Sequence, residues 1–423
     1  MKKFMANIPL VVLVVLFLFL RLYHLPDSLN FGSDQGMTLL ETYNVYQEKK
    51  LTLISVSGGS WTAQGRYIFF SSVPYYLLMP VLVFFHWQPM AASYYFIFLQ
   101  LISFVIVYKV LKGVYKKSHL PLFFSLLFAF SPVTIEYSRF VWTSNLLIPI
   151  SNLLLALSLL ISKKKNKSIL VFLLGFLSGF GFGIHYSFIL TIILVLLWMI
   201  AGRKFSFKRI LIFTIGFVIA FSPLIVFELR HNFYNLRTLF FILAQKEKSS
   251  ANLFTFNDHY FISFAPFVIF LVAIFLVRLA KFSKLFAHFL IAIYLIYSVY
   301  KIMPVPEHGF RMVSGWNYKG VEKASKIILS ENRQNYNIVD ILTGDSRAMA
   351  LRYLLTISGK PPLGVTEYPK ASAIFIYSKV PVDQIFRGSM WEIDFFKPER
   401  VVKTWHLSNG VYLYLVEKKD VLK

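Results

Sequence analysis

The chain has 423 residues, 57% of them hydrophobic, and no cysteine. Soluble domains average about 45–50% apolar; the excess here, gathered in long runs, marks a polytopic membrane protein. Disulfides and thiolate metal sites are excluded, and the net charge of +24 is too clustered between apolar runs to be a nucleic-acid footprint.

The first apolar run, 7–22, follows Lys2 and Lys3. It reads as an uncleaved start-transfer helix, because the Arg-Leu-Tyr-His-Leu-Pro that ends it is a poor signal-peptidase site. A helix needs about 20 apolar residues to cross the hydrocarbon core, and about 17 at the least. By that measure further spans fall near 91–111, 119–136, 144–162, 168–186, 187–202, 210–227, 262–278 and 285–303, nine in all. Gly179, Gly181 and Gly183 precede His185 in the run 168–202. That run reads as two tightly joined helices with His185-Tyr-Ser at their turn.

Five short segments hold 17 basic residues and no acidic one. They are Lys2 and Lys3; Lys109, Lys112, Lys116 and Lys117; Lys163, Lys164, Lys165 and Lys167; Arg203, Lys204, Lys208 and Arg209; and Arg278, Lys281 and Lys284. Lys/Arg clusters in short loops face the cytoplasm, which makes the N-terminus cytoplasmic. Alternation then puts 23–90, 137–143, 228–261 and 304–423 on the outer side of a plasma membrane. Phe69–Trp87 is also apolar, but counting it as a span would move every later cluster to the wrong face. It contains Pro74 and Pro80, which break a helix interior, and it reads as a helix lying in the outer interface.

From about 304 the hydrophobic runs shorten. Helices are expected over Val321–Ser330 and Arg347–Ser358, strands over Asn337–Leu342 and Ala373–Tyr377. A hairpin is expected from Val401–Leu407 and Val411–Glu417. The expected fold class is mainly α: a transmembrane bundle over 1–303, with interfacial helices in the outer loop 23–90. A small extracytoplasmic α/β domain over 304–423 completes it. No internal repeat, zinc-binding His pair or serine-nucleophile motif is present, and the lack of a P-loop argues against an ATP-driven pump.

Asp34 stands in the first polar loop after the first span. A carboxylate there can act as a base on lipid-linked substrates, or simply cap the helical stretch Met37–Gln47; the two roles are compatible. Glu41 lies seven residues on, on the same helical face, as a second carboxylate or a solvated one.

The order of motifs is similar to that of a known family. It runs Phe31-Gly-Ser-Asp34-Gln35-Gly36, Pro74-Tyr75-Tyr76-Leu77-Leu78, Ser131-Pro132 with Tyr137-Ser138-Arg139 and Asn145, Gly183-Ile-His185-Tyr186-Ser187, then Glu228-Leu-Arg230-His231-Asn232. It resembles the GT-C superfamily of membrane glycosyltransferases, in the bacterial branch related to protein mannosyltransferases and the aminoarabinose transferase of lipid A. Many members carry Asp-Glu where this chain has Asp34-Gln35. Members often have a basic residue or Gly before the Pro of the aromatic segment; here stands Ser71-Ser72-Val73, with Arg66 the nearest cation.

The resemblance implies inverting transfer of a sugar from a polyprenyl-phosphate donor to a hydroxyl of a glycan, lipid or protein acceptor, within membrane lipid and without nucleic acid. Such chemistry needs a base, cations for the departing phosphate and an apolar groove for the prenyl chain. Asp34 is the implied base. Arg139 is a phosphate contact, an interface anchor or a partner of Glu136. Arg230 and His231 stand where the seventh span leaves the membrane, a functional position by default, with a local Glu228–Arg230 pair as the alternative. His185 is a site residue or a packing one, Arg66 a further cation, and Tyr75 an interfacial anchor or a stacking platform. No cofactor is required, although a divalent metal could sit among Asp34, Glu41 and nearby histidines. The rival readings are a transporter or flippase, against which the missing repeats argue, and a ligase of lipid-linked envelope glycans.

Overall fold

A computed structural model describes residues 8–63, 65–163, 168–201, 206–245 and 258–418, without the side chains of 56–63, 245 and 258. Lys2, Lys3, Lys164, Lys165, Lys167, Arg203 and Lys204 lie outside the described residues, as does part of the 228–261 loop.

The elements follow the apolar runs. The first helices are α1 (Ile8–Leu22), the short α2 (Leu25–Ser28) and α3 (Ser33–Glu48). A hairpin β1 (Ile54–Ala63) and β2 (Arg66–Ser71) comes next, then α4 (Val73–Phe84), α5 (Pro89–Val114), α6 (Leu120–Phe130) and α7 (Pro132–Glu136). The bundle continues with α8 (Leu147–Lys163), α9 (Ser168–Ile184), α10 (Ile189–Ala201), α11 (Phe207–Arg230), α12 (Tyr234–Gln245), α13 (Ala265–Phe282) and α14 (Lys284–Ile302). Five helical segments among the described residues are long and apolar enough to cross a membrane: Pro89–Val114, Thr143–Lys163, Phe207–Arg230, Ile262–Phe282 and Lys284–Ile302. The other expected spans fall on shorter apolar helices, including Ile8–Leu22, Leu120–Phe130, Ser168–Ile184 and Tyr186–Ala201.

Where the chain departs from expectation, a local cause is visible. The span 119–136 breaks at Ser131-Pro132; the Ser131 hydroxyl then accepts the Thr134 amide and caps α7. Phe69–Trp87 is not one helix. Its start belongs to β2, and α4 begins at Val73 with Pro74 in its first turn, where proline is tolerated. The 12 residues of α4 make about 18 Å of helix, well short of the ≈30 Å hydrocarbon core, and unlike α6, which α7 continues, no helix directly prolongs it. The β1–β2 hairpin and α12 were not expected. Gly65 turns the hairpin at φ 75°.

Glycine sets the closest helix pair. A Cβ on Gly175 would strike the carbonyl of Phe213, and one on Gly179 that of Phe217, so this four-residue repeat lets α9 and α11 meet backbone to backbone, as small residues do between membrane helices. The turn that follows places His185 in extended conformation ahead of a short 3₁₀ turn, Tyr186–Phe188.

Arginines fasten α1. Arg21 is fully buried and stacks 3.5 Å over Phe17. It donates to Gln100 Oε1 (2.8 Å), the Ala129 carbonyl (3.0 Å) and Thr134 Oγ1 (3.1 Å), tying α1 to α5, α6 and α7.

The C-terminal region holds α15 (Tyr318–Glu331), β3 (Tyr336–Asp340), α16 (Met349–Ile357), β4 (Ala373–Ser378), α17 (Val382–Arg387), α18 (Trp391–Phe396), β5 (Arg400–His406) and β6 (Tyr412–Glu417). The strand order is β3-β4-β6-β5, with β3 and β4 parallel and the other pairs antiparallel. Alternate residues face opposite ways, as the two-residue strand period requires. Phe375, Tyr377, Leu413 and Leu415 join the large core that runs into the helical bundle, whereas Ile374, Ile376, Tyr414 and Val416 form a second core with Ile385 and Phe396. The short α17 and α18, which cover that second face, were not expected.

Candidate active site

Asp34 occupies the second position of α3, after the N-cap Gly32. Gln35, buried one position on, accepts the Gly32 amide through its Oε1 at 3.0 Å. It therefore closes the helix start as a capping-box residue, a task that needs an acceptor and not a charge.

Asp34 lines a cavity of ≈270 Å³ built from four stretches far apart in sequence: Asn30–Gln35, Phe140 with Trp142, Arg311–Val313, and Thr343 with Asp345. These come from the segments that charge alternation placed on one face. The Asp34 side chain is exposed into the cavity, although the surrounding wall crowds it. That crowding raises its pKa; nearby Arg347 opposes the rise and Asp345 adds to it.

Asp345 and Arg347 form a two-point pair, Nε to Oδ1 at 2.8 Å and Nη2 to Oδ2 at 2.5 Å. These bonds hold the Asp345 carboxylate below its ordinary range. The loop carrying them is anchored from beneath by Asp340, the last residue of β3, whose carboxylate accepts the Thr343 amide (3.1 Å) and hydroxyl (2.9 Å). Burial pushes the Asp340 carboxyl up to about 7, although the Thr343 bonds favour its charged form.

Arg311 brings a cation to the cavity. It is exposed and lies 5.4 Å from the ring centroids of both Tyr137 and Phe310. Its backbone is left-handed, φ 59°, which is unusual for a long side chain. The adjoining Phe310 amide donates to the Ser28 carbonyl at 2.9 Å, so this segment is pinned to the loop that precedes α3.

Arg139 is 7% exposed and does not line the cavity. Its guanidinium donates to the carbonyls of Leu20 (2.5 Å) and Tyr23 (2.9 Å) and to Ser28 Oγ (3.1 Å). It thus satisfies carbonyls that the end of α1 leaves without helical partners. Burial lowers its pKa to about 10 against the opposing influence of Glu136.

The remaining candidates lie elsewhere. Glu41 is half-buried on α3, outside the cavity lining, and burial raises its pKa, with Glu48 adding to the rise. Tyr75 is 2% exposed, in the buried face of α4. Arg66 lies 4.4 Å over the ring of Phe241 on α12. Arg230 and His231 are exposed at the end of α11, where the His231 ring stacks on Phe227 at 4.4 Å. His185 Nδ1 is 2.8 Å from Ser187 Oγ, and its ring stacks on Phe70 at 5.3 Å.

A second cavity lies beside this last group. It measures ≈560 Å³, and apolar side chains such as Ile68, Phe182, Phe221, Leu224 and Leu239 dominate its lining. At its polar edge Glu228 accepts the amides of Asn235 (3.0 Å) and Leu236 (3.2 Å), closing the start of α12. Asn235 in turn bonds both backbone groups of Phe69. Rings link the two cavities: Tyr186 in the apolar lining to Phe70 at 5.2 Å, Phe70 to His185, His185 to His259 at 5.8 Å, and His259 to Trp142 at 4.5 Å.

Sequence reasoning missed Trp142, His259, Arg311, Asp345 and Arg347. Of these, Arg311 left a readable trace: it is the first cation on the outer side after the last span's Lys301. The others depend on how the tail folds back. Among the described residues no three His, Asp or Glu side chains gather as a metal-binding group.

No family model and no curated protein matches the chain. Among solved structures it is similar to that of ArnT from Cupriavidus metallidurans bound to undecaprenyl phosphate. The TM-score is 0.57 at 10% identity, over 98% of this chain and 99% of that one. The match covers the bundle and the C-terminal region alike. The likeness is one of fold: this chain and that structure share one architecture over nearly their whole lengths.

Proposed function

We propose that the protein is an inverting glycosyltransferase that moves a sugar from a polyprenyl-phosphate donor to an acceptor hydroxyl at the outer face of the plasma membrane. The observation that carries this is a pair of cavities linked by a chain of ring contacts, one lined by the Asp34 carboxylate and Arg311, the other apolar. The undecaprenyl phosphate bound by the structurally similar ArnT supports a donor of that class.

In this reading the acceptor oxygen attacks the anomeric carbon while its proton passes to Asp34. The bond from the anomeric carbon to the phosphate oxygen breaks, and polyprenyl phosphate leaves with the electron pair. Arg311 faces the developing phosphate charge, where a fixed guanidinium is most effective. The apolar cavity of α9, α11 and α12 takes the first prenyl units, each buried CH₂ contributing about 0.8 kcal/mol. Arg139 acts as a positioning residue, holding the end of α1 from which the Asp34 loop departs. The part 304–423 forms the outer wall of the site and leaves the helical part, 1–303, to hold the lipid. The N-terminus is cytoplasmic and the C-terminal part outside.

The test is lipid-phosphate release from radiolabelled polyprenyl-phosphate sugars by purified protein, with an acceptor extract and with or without chelator. Release by wild type that disappears in folded Asp34→Asn supports the reading. Undiminished release in the variant sinks Asp34 as the base. Flipping of the lipid in vesicles without release would instead point to a flippase.

A further inference from the structure

We propose that a recess at the end of the bundle opposite Asp34 binds the headgroup of an anionic phospholipid. The recess measures ≈540 Å³ and lies between the α5–α6 loop and the α13–α14 turn. Lys116 and Lys117 line it from one side, Lys281 and Lys284 from the other. Two hairpin turns more than a hundred residues apart thus aim four ammonium groups at one space.

Among the described residues no carboxylate lines the recess, and neither 109–120 nor 276–290 contains an acidic residue. Like charges gathered without a counter-ion raise the free energy of the fold, and an anion seated among them relieves it. Topology alone does not require this convergence, because the positive-inside pattern is met by lysines anywhere in the loops.

The remaining lining favours a lipid over a free anion. Val277, Ala280 and Tyr115 pack against the hydrophobic core and give the recess an apolar side. A phospholipid meets both surfaces, phosphate to the lysines and glycerol with the first acyl carbons to Val277 and Ala280. Basic pockets between membrane helices hold lipid headgroups in this way. The recess is remote from the proposed chemistry: α14 starts at Lys284 and runs 19 residues toward the Asp34 end, about 28 Å of helix. The proposal is independent of the transferase reading.

The experiment is native mass spectrometry of delipidated protein in detergent, titrated with phosphatidylglycerol or phosphatidylcholine. Wild type should retain the anionic lipid in preference, on the order of fivefold, the scale of a single lysine–lipid contact. Lys116→Gln/Lys117→Gln/Lys281→Gln/Lys284→Gln should lose the preference. The four Lys→Arg changes should keep it, as should a control with Lys323, Lys326, Lys360 and Lys370 changed to Gln. If the quadruple Gln variant does not fold, the two pairwise variants are read instead. No preference in wild type, or a preference that survives the Gln changes, overturns the proposal. So does displacement of the lipid by millimolar inorganic phosphate, which would make the recess a site for the free ion.

Discussion

Gly36 lies against the backbone of Met349 and Ala350: a Cβ built on it would come within 2.5 Å of the Met349 carbonyl carbon and the Ala350 nitrogen. The missing side chain is what lets α16 dock on α3, and that docking brings Asp345 and Arg347 to Asp34. Backbone atoms cannot swing away as a side chain would. Gly36→Ala should therefore lower stability by about 1–3 kcal/mol, the usual cost of overpacking, and reduce activity by moving the wall of the site. Thermal melting in detergent beside a release assay checks both. Wild-type values for the two would mean that the site does not depend on this contact.

Asp34→Asn keeps the shape of the side chain and its place in the first turn of α3 while removing the base. Turnover should fall about 10²- to 10⁴-fold, the usual share of a general base. The affinity for polyprenyl phosphate should change little, because the leaving lipid does not need the proton acceptor. A variant that fails equally in binding and turnover would instead give Asp34 a structural role.

Arg347 tunes that base. Crowding by the cavity wall raises the Asp34 pKa and the Arg347 charge pulls it back. Only the ionised carboxylate accepts a proton, so activity rises with pH through the Asp34 pKa. Arg347→Gln removes the opposing influence, and the acid limb of the rate profile should move to higher pH. A limb that stays in place would show that Arg347 acts on Asp345 alone.

The sequence carried the bundle further than the site. Span positions follow from apolar run length; Pro74 sits in the first turn of α4, but Pro80 does not break the helix as expected, since α4 runs on through it to Phe84. Asp34 stood out from Asp27, Glu41 and Glu48 in the same loop only through the Phe31-Gly-Ser-Asp34-Gln35-Gly36 motif that carries the resemblance. Asp345 and Arg347 were not, because a two-residue ion pair in a tail loop looks like ordinary solvated charge until α16 docks on Gly36. Arg139 misled for the reverse reason. An arginine beside a span end suggests a cation for the site, whereas the Leu20 and Tyr23 carbonyls at the end of α1 and Ser28 Oγ of α2 engage it. The β1–β2 hairpin was hidden by Ser57-Gly58-Gly59-Ser60, since glycine is depleted in strands.

Asp340 makes the C-terminal region sensitive to pH. Its folded pKa is raised to about 7, above the ~3.9 of an unperturbed aspartate. The fold thus prefers the protonated form. The stability it contributes is full below about 4 and is lost as pH rises through about 7. Asp340→Asn stays neutral and can still accept one Thr343 bond. Melting temperatures of the two proteins between pH 4 and 8 should diverge, with the wild type falling behind as pH rises. Parallel curves would mean that Asp340 titrates normally.

Arg311 offers a case in which fold and function can be pulled apart. Its left-handed backbone, φ 59°, costs a non-glycine residue free energy that a functional site can sustain. Glycine adopts the same conformation freely. Arg311→Gly should therefore melt no lower than wild type while kcat/KM falls about 10²-fold, as when one donor to a developing charge is removed. Arg311→Lys should recover only part of the rate, because an ammonium keeps the charge but not the planar two-point grip on phosphate. Steady-state kinetics with a polyprenyl-phosphate sugar, read beside the melting curves, decide between the roles. If Arg311→Gly loses stability and activity together, the residue is a packing element over Tyr137 and Phe310, and the phosphate cation must be sought at Arg66 or Arg230. If it keeps both, Arg311 plays no part in the reaction.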